Sequence, residues 1–319
     1  MHRPRPLARC YVADVATVSS PPATPGTPAD DRFGTTDWAL FLAVSGIWGA
    51  SFLFIDIGLD AMPPGLVTLL RVGLGALALA VIPRPRIPIA ADDRGRLVLL
   101  SILWVAIPFT LFPIAEQHIS SAIAGLLNGA TPIFAALFAW LVWGRPTRGA
   151  QLAGIGVGFG GVILISVPSL DDGSSAALGV GLIVLATICY GFAVNMAAPL
   201  QLRYGSVNLM AKMLGLATVW TAPYGLWGVQ DAHWETGPFV AVATLGIVGT
   251  GIAFALMGTL VGRVGPTRAS FITYLVPVVA LVLGVVFRDD VVNAVQVGGV
   301  VVVVAGALLA SRSTAPRAR

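Results

Sequence analysis

Charge is scarce in this sequence: Asp, Glu, Lys and Arg together make up 11% of 319 residues, against about 25% in an ordinary soluble domain. So little charged material cannot cover a water-facing globule, and the solvent of such a chain must be largely lipid. Cysteine is almost absent too. Cys10 lies in a polar stretch and Cys189 inside an apolar run, which rules out a disulfide framework. The histidines, His2, His118 and His233, have no Cys or His neighbour at metal-ligand spacing, so a zinc site lacks ligands. No Gly-x-x-x-x-Gly-Lys-Ser/Thr phosphate loop occurs, and no cofactor is implied. A basic cluster interleaved with aromatics is missing as well. The formal charge of +4 is therefore not a nucleic-acid footprint, and no nucleic-acid partner is expected.

What is present is apolar: 56% of residues are hydrophobic and the mean hydropathy is +0.87. Residues 1–36 differ, with Pro21, Pro22, Pro25 and Pro28 among small polar residues and no helical period. They read as a disordered tail. Arg3, Arg5 and Arg9 have no apolar segment behind them, so this is no secretory signal. Beyond it, apolar runs of about 20 residues, enough to cross about 30 Å of hydrocarbon, recur near 38–58, 64–82, 97–115, 120–142, 150–167, 178–198, 207–228, 238–260, 267–287 and 291–310. The predicted fold is all-α, a polytopic membrane protein of ten transmembrane helices.

Basic residues support that count. With ten spans, Arg32, Arg84, Arg86, Arg94, Arg96, Arg145, Arg148, Arg203, Arg263, Arg268, Arg312, Arg317 and Arg319 fall on one side and only Arg288 on the other. Such asymmetry predicts that both termini are cytoplasmic. A repeat is also visible. Shifting the chain by 145 residues lays Phe109 over Phe254, Pro132 over Pro277, Gln151 over Gln296, Gly154 over Gly299 and Gly161 over Gly306 without a gap. Farther upstream Trp48-Gly49 resembles Tyr190-Gly191, and Arg71 roughly faces Lys212. Five spans per copy place the second copy upside down, the inverted-repeat plan of secondary transporters. The implied divisions are 1–36 as tail, 37–170 as first repeat, 171–311 as second repeat and 312–319 as C-terminal tail.

These residues resemble the EamA type of the drug/metabolite transporter superfamily. Ile47-Trp48-Gly49-Ala50-Ser51-Phe52 is similar to that family's Trp-Gly-Ser-Asn-Phe opening, and Arg71 stands where its second helix carries an arginine. Ile119 to Trp140, with Pro132 in the middle, looks like its fourth helix, and Gln151 to Ile165 like its glycine-rich fifth. The chain departs from the pattern at Arg145 and Asp290, where the family has glutamates, and at Asp56, where many members have lysine. The resemblance implies a secondary transporter of a small metabolite or drug-like solute, exporting it across the bacterial inner membrane around a midplane cavity.

Arg71 sits near mid-depth in its span, where a charge costs about 2.5–3.5 kcal/mol on insertion scales. It either meets an anionic group of the solute or is held by a structural partner such as Asp56. Trp48 and Tyr190, matched across the repeat, are the better candidates for an aromatic lining, with Tyr274 beside them. Asn128 and Asn195 read as solute contacts or as hydrogen-bonding glue between helices. These six form the expected substrate site. Glu116 and His118, at an outer helix end, read as solvated rim residues, with a proton relay as the alternative. Membrane-embedded enzymes need paired acids, a Ser/His dyad or a metal cluster, so no enzymatic activity is expected. Expected partners are a small-molecule solute and membrane lipid, with a homodimer left open. A non-transporting receptor or subunit is the alternative.

Overall fold

The computed structural model describes residues 33–83, 86–144, 149–171 and 173–311. The expected tail lies mostly outside them, as do residues 312–319 and Arg84, Arg145 and Arg148. The described residues form ten long helical segments: α1 (Thr35–Leu59), α2 (Pro64–Val81), α3 (Ala91–Glu116), α4 (Ser121–Leu141), α5 (Ala150–Asp171), α6 (Ser174–Tyr204), α7 (Ser206–Trp227), α8 (Thr236–Val264), α9 (Ile272–Arg288) and α10 (Ala294–Ser311). Seven of them are long and apolar enough to cross a bilayer by themselves, and α9 and α10 are shorter apolar helices. Leu77, Ile163, Val219, Phe287 and Val301 are exposed, as expected of side chains whose solvent is lipid.

The helices differ from the apolar runs mainly at their ends. Helix α3 begins at Ala91, earlier than hydropathy suggests, because Asp92 and Asp93 fall in its first turn, where acids suit the positive end of the helix dipole. Near the run expected from 267, the chain makes a short turn, Pro266–Ala269, before α9 starts at Ile272. Helix α4 is interrupted at Gly129-Ala130, just before Pro132. The break suits proline, which lacks the N–H an uninterrupted helix would use.

Hydrogen bonds verify the alternating course of the chain. One end gathers acids and arginines from four helices. Arg263 of α8 bonds Asp37 of α1 at 2.5 Å, and Arg203 and Tyr204 of α6 both reach Asp93 of α3 at 2.7 Å. At the other end, Arg288 of α9 bonds Asp56 of α1 and Asp60 in the turn after it. Asp290 accepts from Ser121 Oγ and Ala122 N, both at 2.9 Å, and so caps α4. Below they are called the arginine-rich and acid-rich ends.

Packing repeats across the two halves. Helix α5 lies on α10, α2 on α7 and α4 on α9. The pair α1–α9 has its mate in α6–α4, α2–α8 in α7–α3, and α1–α8 in α6–α3. Even the irregularities match. Wider π-turns occupy Ser101–Ala106 in α3 and Leu245–Ile252 in α8, and the 145-residue shift carries the first onto 246–251, inside the second. The α5–α10 seam is backbone against backbone. A Cβ on Gly161 would lie 2.6 Å from Val303 N and 2.8 Å from Gly299 O. In lipid, where burial of apolar surface gives little preference for helix over tail, such close approach is a main source of helix association.

Candidate functional site

Arg71, two turns into α2, is 7% exposed. Its Nε donates to Thr250 Oγ1 of α8 at 3.3 Å, and its guanidinium carbon lies 3.8 Å from the centre of the Phe109 ring on α3. Thr250 lies in the π-turn, and its hydroxyl donates to the carbonyl of Leu245, five residues back, at 3.1 Å. The widened turn thus aims a hydroxyl at the cation. Thr68, one turn earlier on α2, bonds the Phe109 carbonyl at 3.0 Å, which fixes the ring that carries the guanidinium. Among the described residues, no carboxylate is within ion-pair distance of Arg71. Tyr190 and Glu116 are close enough to act on its charge.

The alternative of Asp56 as structural partner of Arg71 is not what the fold adopts. Asp56 is bonded to Arg288 at 2.5 Å, and that arginine also grips Asp60 through two nitrogens at 2.9 Å each. Arg71 is left without an acid of its own.

Aromatic rings link helices of the two halves. Tyr190 of α6 stacks on Phe112 of α3 with centroids 6.1 Å apart, and Phe112 meets Phe52 of α1 edge-on at 5.6 Å. Trp48 of α1 meets Phe254 of α8 at 5.5 Å. The contacts α6–α3 and α1–α8 are repeat mates, so Trp48 and Tyr190 bridge the two halves in equivalent ways.

The remaining sequence candidates lie elsewhere. Asn195 donates to the carbonyl of Ala135 on α4 at 2.8 Å and to that of Gly191 at 3.0 Å, the geometry of glue between helices. Asn128 sits at the break in α4 with its side-chain oxygen buried and unpartnered. Tyr274 is in the first turn of α9 at the arginine-rich end, with its ring 5.9 Å from that of Phe271.

Glu116 differs from its sequence-based reading. Rather than a solvated rim residue, it is 7% exposed, and both carboxylate oxygens are buried without a hydrogen-bond partner. It lines a polar cavity of about 380 Å³ at the acid-rich end, together with Asp56, Ile119, Ser120, Phe287, Arg288, Asp289 and Asp290. His118, beyond it, bonds Ser175 Oγ at 2.8 Å. Sequence inspection also passed over Thr250 and Phe112. The repeat gave no signal for Thr250, which the 145-residue shift lays over Val105.

The arrangement is a buried cation on an aromatic face, an unpaired buried acid near it, and a polar cavity leading to one end of the bundle. Arg71 itself is not among the residues that line that cavity. A model of the EamA-like transporter family matches this chain twice, over residues 37–167 and 177–312. A probable terminal-alkyne amino-acid exporter of Streptantibioticus cattleyicolor is 28% identical over 88% of this chain and 95% of its own. The uncharacterized inner membrane transporter YedA of Escherichia coli K12 is 27% identical over 81% and 84%. A probable amino-acid metabolite efflux pump of the same strain is 25% identical over 85% and 93%. A crystal structure 20% identical in sequence superposes with a TM-score of 0.59 over 86% of this chain and 97% of the other, a likeness of fold.

Proposed function

The chain belongs to the EamA-like transporter family, and from that membership we propose that it is a secondary transporter exporting a small amino-acid-like metabolite. It is a multi-pass inner-membrane transporter; the solute, the mechanism and the orientation are our reading. Arg71 binds the solute carboxylate, Tyr190 and Trp48 line the path between the halves, and apolar side chains of the solute rest against Phe109 and Phe112. The two five-helix repeats rock about this site in alternating access, with both termini cytoplasmic.

The observation that supports this reading is Arg71 itself. A guanidinium stays protonated at physiological pH, and here it is buried at mid-depth with a hydroxyl and a ring but no acid. An ion kept in such a position is a functional candidate, and a carboxylate is the group that completes it. The names of two relatives, an amino-acid exporter and an amino-acid metabolite efflux pump, point to solutes that carry that group.

The test is flux into liposomes containing the purified protein, with radiolabelled L-leucine and L-phenylalanine as probes and no nucleotide. Saturable exchange of either one supports the proposal. Strict dependence on ATP, or no movement of either probe, sinks it. Orientation is tested by single cysteines at Ser174 and Thr147 in a cysteine-free chain. An impermeant thiol reagent outside intact spheroplasts should label Ser174→Cys and spare Thr147→Cys; the reverse pattern overturns the proposed topology.

A further inference from the structure

We propose that Glu116 is a proton-binding site of the transporter, taking up a proton in exchange for the solute. The inference rests on the transport reading above and extends it to the coupling ion.

Glu116 closes α3 at the acid-rich end, and among the described residues it is the only acid whose two oxygens are both buried and unpartnered. Three neighbouring acids, Asp56, Asp60 and Asp290, are occupied. From α1 and the turn after it, Asp56 and Asp60 share Arg288 of α9. After α9, Asp290 takes the hydroxyl of Ser121 and the amide of Ala122, and Asp289 lies in the same cavity wall. From α2 and α6, Arg71 and Tyr190 complete the charged and titratable surroundings, with His118 held on Ser175 beyond the helix end. None of these groups donates to Glu116.

A carboxylate with no donor in a dry setting is the costliest way to bury a charge. The conformation seen here therefore suits the neutral acid. The cavity of about 380 Å³ that Glu116 lines is the route by which water and protons arrive from the acid-rich end. Binding is a simple balance: the carboxylate takes one proton and becomes the acid, and ionisation returns it. When the walls part, water solvates the carboxylate. An amino-acid-like solute with its carboxylate on Arg71 brings its ammonium group toward the same region, and one carboxyl group cannot hold a proton and an ammonium together. Proton and solute then exclude each other, and transport is exchange.

Two measurements test this. Infrared difference spectra of the purified protein, between roughly pH 5 and roughly pH 9, should show the C=O band of a protonated carboxyl that disappears at the higher pH. Glu116→Gln should lack that band, Glu116→Asp should keep one with a displaced midpoint, and Asp60→Asn should leave it in place. Glutamine matches the neutral acid in size and charge, so Glu116→Gln is expected to fold. In liposomes, an acidic lumen should drive uptake of L-leucine or L-phenylalanine by the wild type. Glu116→Gln should lose that drive. A band that persists in Glu116→Gln, or undiminished pH-driven uptake by that variant, overturns the proposal. Drive by external acid instead overturns the exchange. If neither probe moves while the band is lost only in Glu116→Gln, the proton site stands and the proposed solute class fails.

Discussion

Replacing Arg71 by leucine deletes a buried charge together with everything that compensates it. The losses are one hydrogen bond from a charged group, worth about 1.5–3 kcal/mol, and a cation–π contact of about 0.5–2 kcal/mol. Against them stands the cost of holding the charge at depth, about 2.5–3.5 kcal/mol. No acid is stranded, because Asp56 is held by Arg288. Nor is a hydroxyl stranded, since Thr250 keeps its bond to the Leu245 carbonyl. The terms nearly cancel, so the variant should stay within about 1–2 kcal/mol of wild type, a few degrees in melting temperature at roughly 2–4 °C per kcal/mol. Flux of the amino-acid probes should vanish. Arg71→Lys should recover little, because an ammonium cannot offer the planar fork that meets a carboxylate through two bonds. Thermal unfolding in detergent and liposome flux on the same preparations decide the matter. A loss above about 3 kcal/mol, the scale of a broken buried ion pair, would show that Arg71 is a structural ion. Normal flux in Arg71→Leu, or its rescue by Asp56→Asn, would equally refute the reasoning.

Gly161→Val puts a side chain against Val303 N and Gly299 O, neither of which can step aside; it should cost about 3 kcal/mol and aggregate on size-exclusion chromatography, whereas Gly160→Ala, with open space around it, should behave as wild type. Asn195→Ala removes two bonds to backbone carbonyls and should lower stability by about 0.6–1.7 kcal/mol, seen as a small drop in melting temperature with flux retained. Arg288→Gln leaves Asp56 and Asp60 facing each other. The pair is partly exposed, so the loss should fall between about 1 kcal/mol for a surface pair and about 3 kcal/mol for a buried one. With that clamp gone, a cysteine at Ser120, in the cavity wall, should react faster with a soluble thiol reagent.

Much of the scaffold was legible because a bilayer imposes length and apolarity on every span, and both are visible one segment at a time. Where it was less legible, the cause was local chemistry that hydropathy ignores, as with Asp92 and Asp93 beginning α3 early. The site is harder, because its partners are far apart in sequence. Asp56 and Arg288 are 232 residues apart, and nothing along the chain favours that pairing over Asp56 with Arg71. Symmetry guided the reading toward what is duplicated. Trp48 and Tyr190 stand out when the halves are overlaid, and each meets an aromatic ring of the other half, Trp48 that of Phe254 and Tyr190 that of Phe112, although the shift pairs Phe254 with Phe109. Charges are not duplicated in the same way. The 145-residue shift carries Glu116 onto Val261, and Arg71 answers only loosely to Lys212, which is half-buried on α7. A repeat preserves the packing that both halves must satisfy, whereas a charge with a single role is needed only once. Comparison of the halves therefore finds the frame and passes over the residues proposed to do the chemistry. Glu116, read along the chain as the polar end of an apolar run, becomes a buried acid only when α1, α4 and α9 close over it.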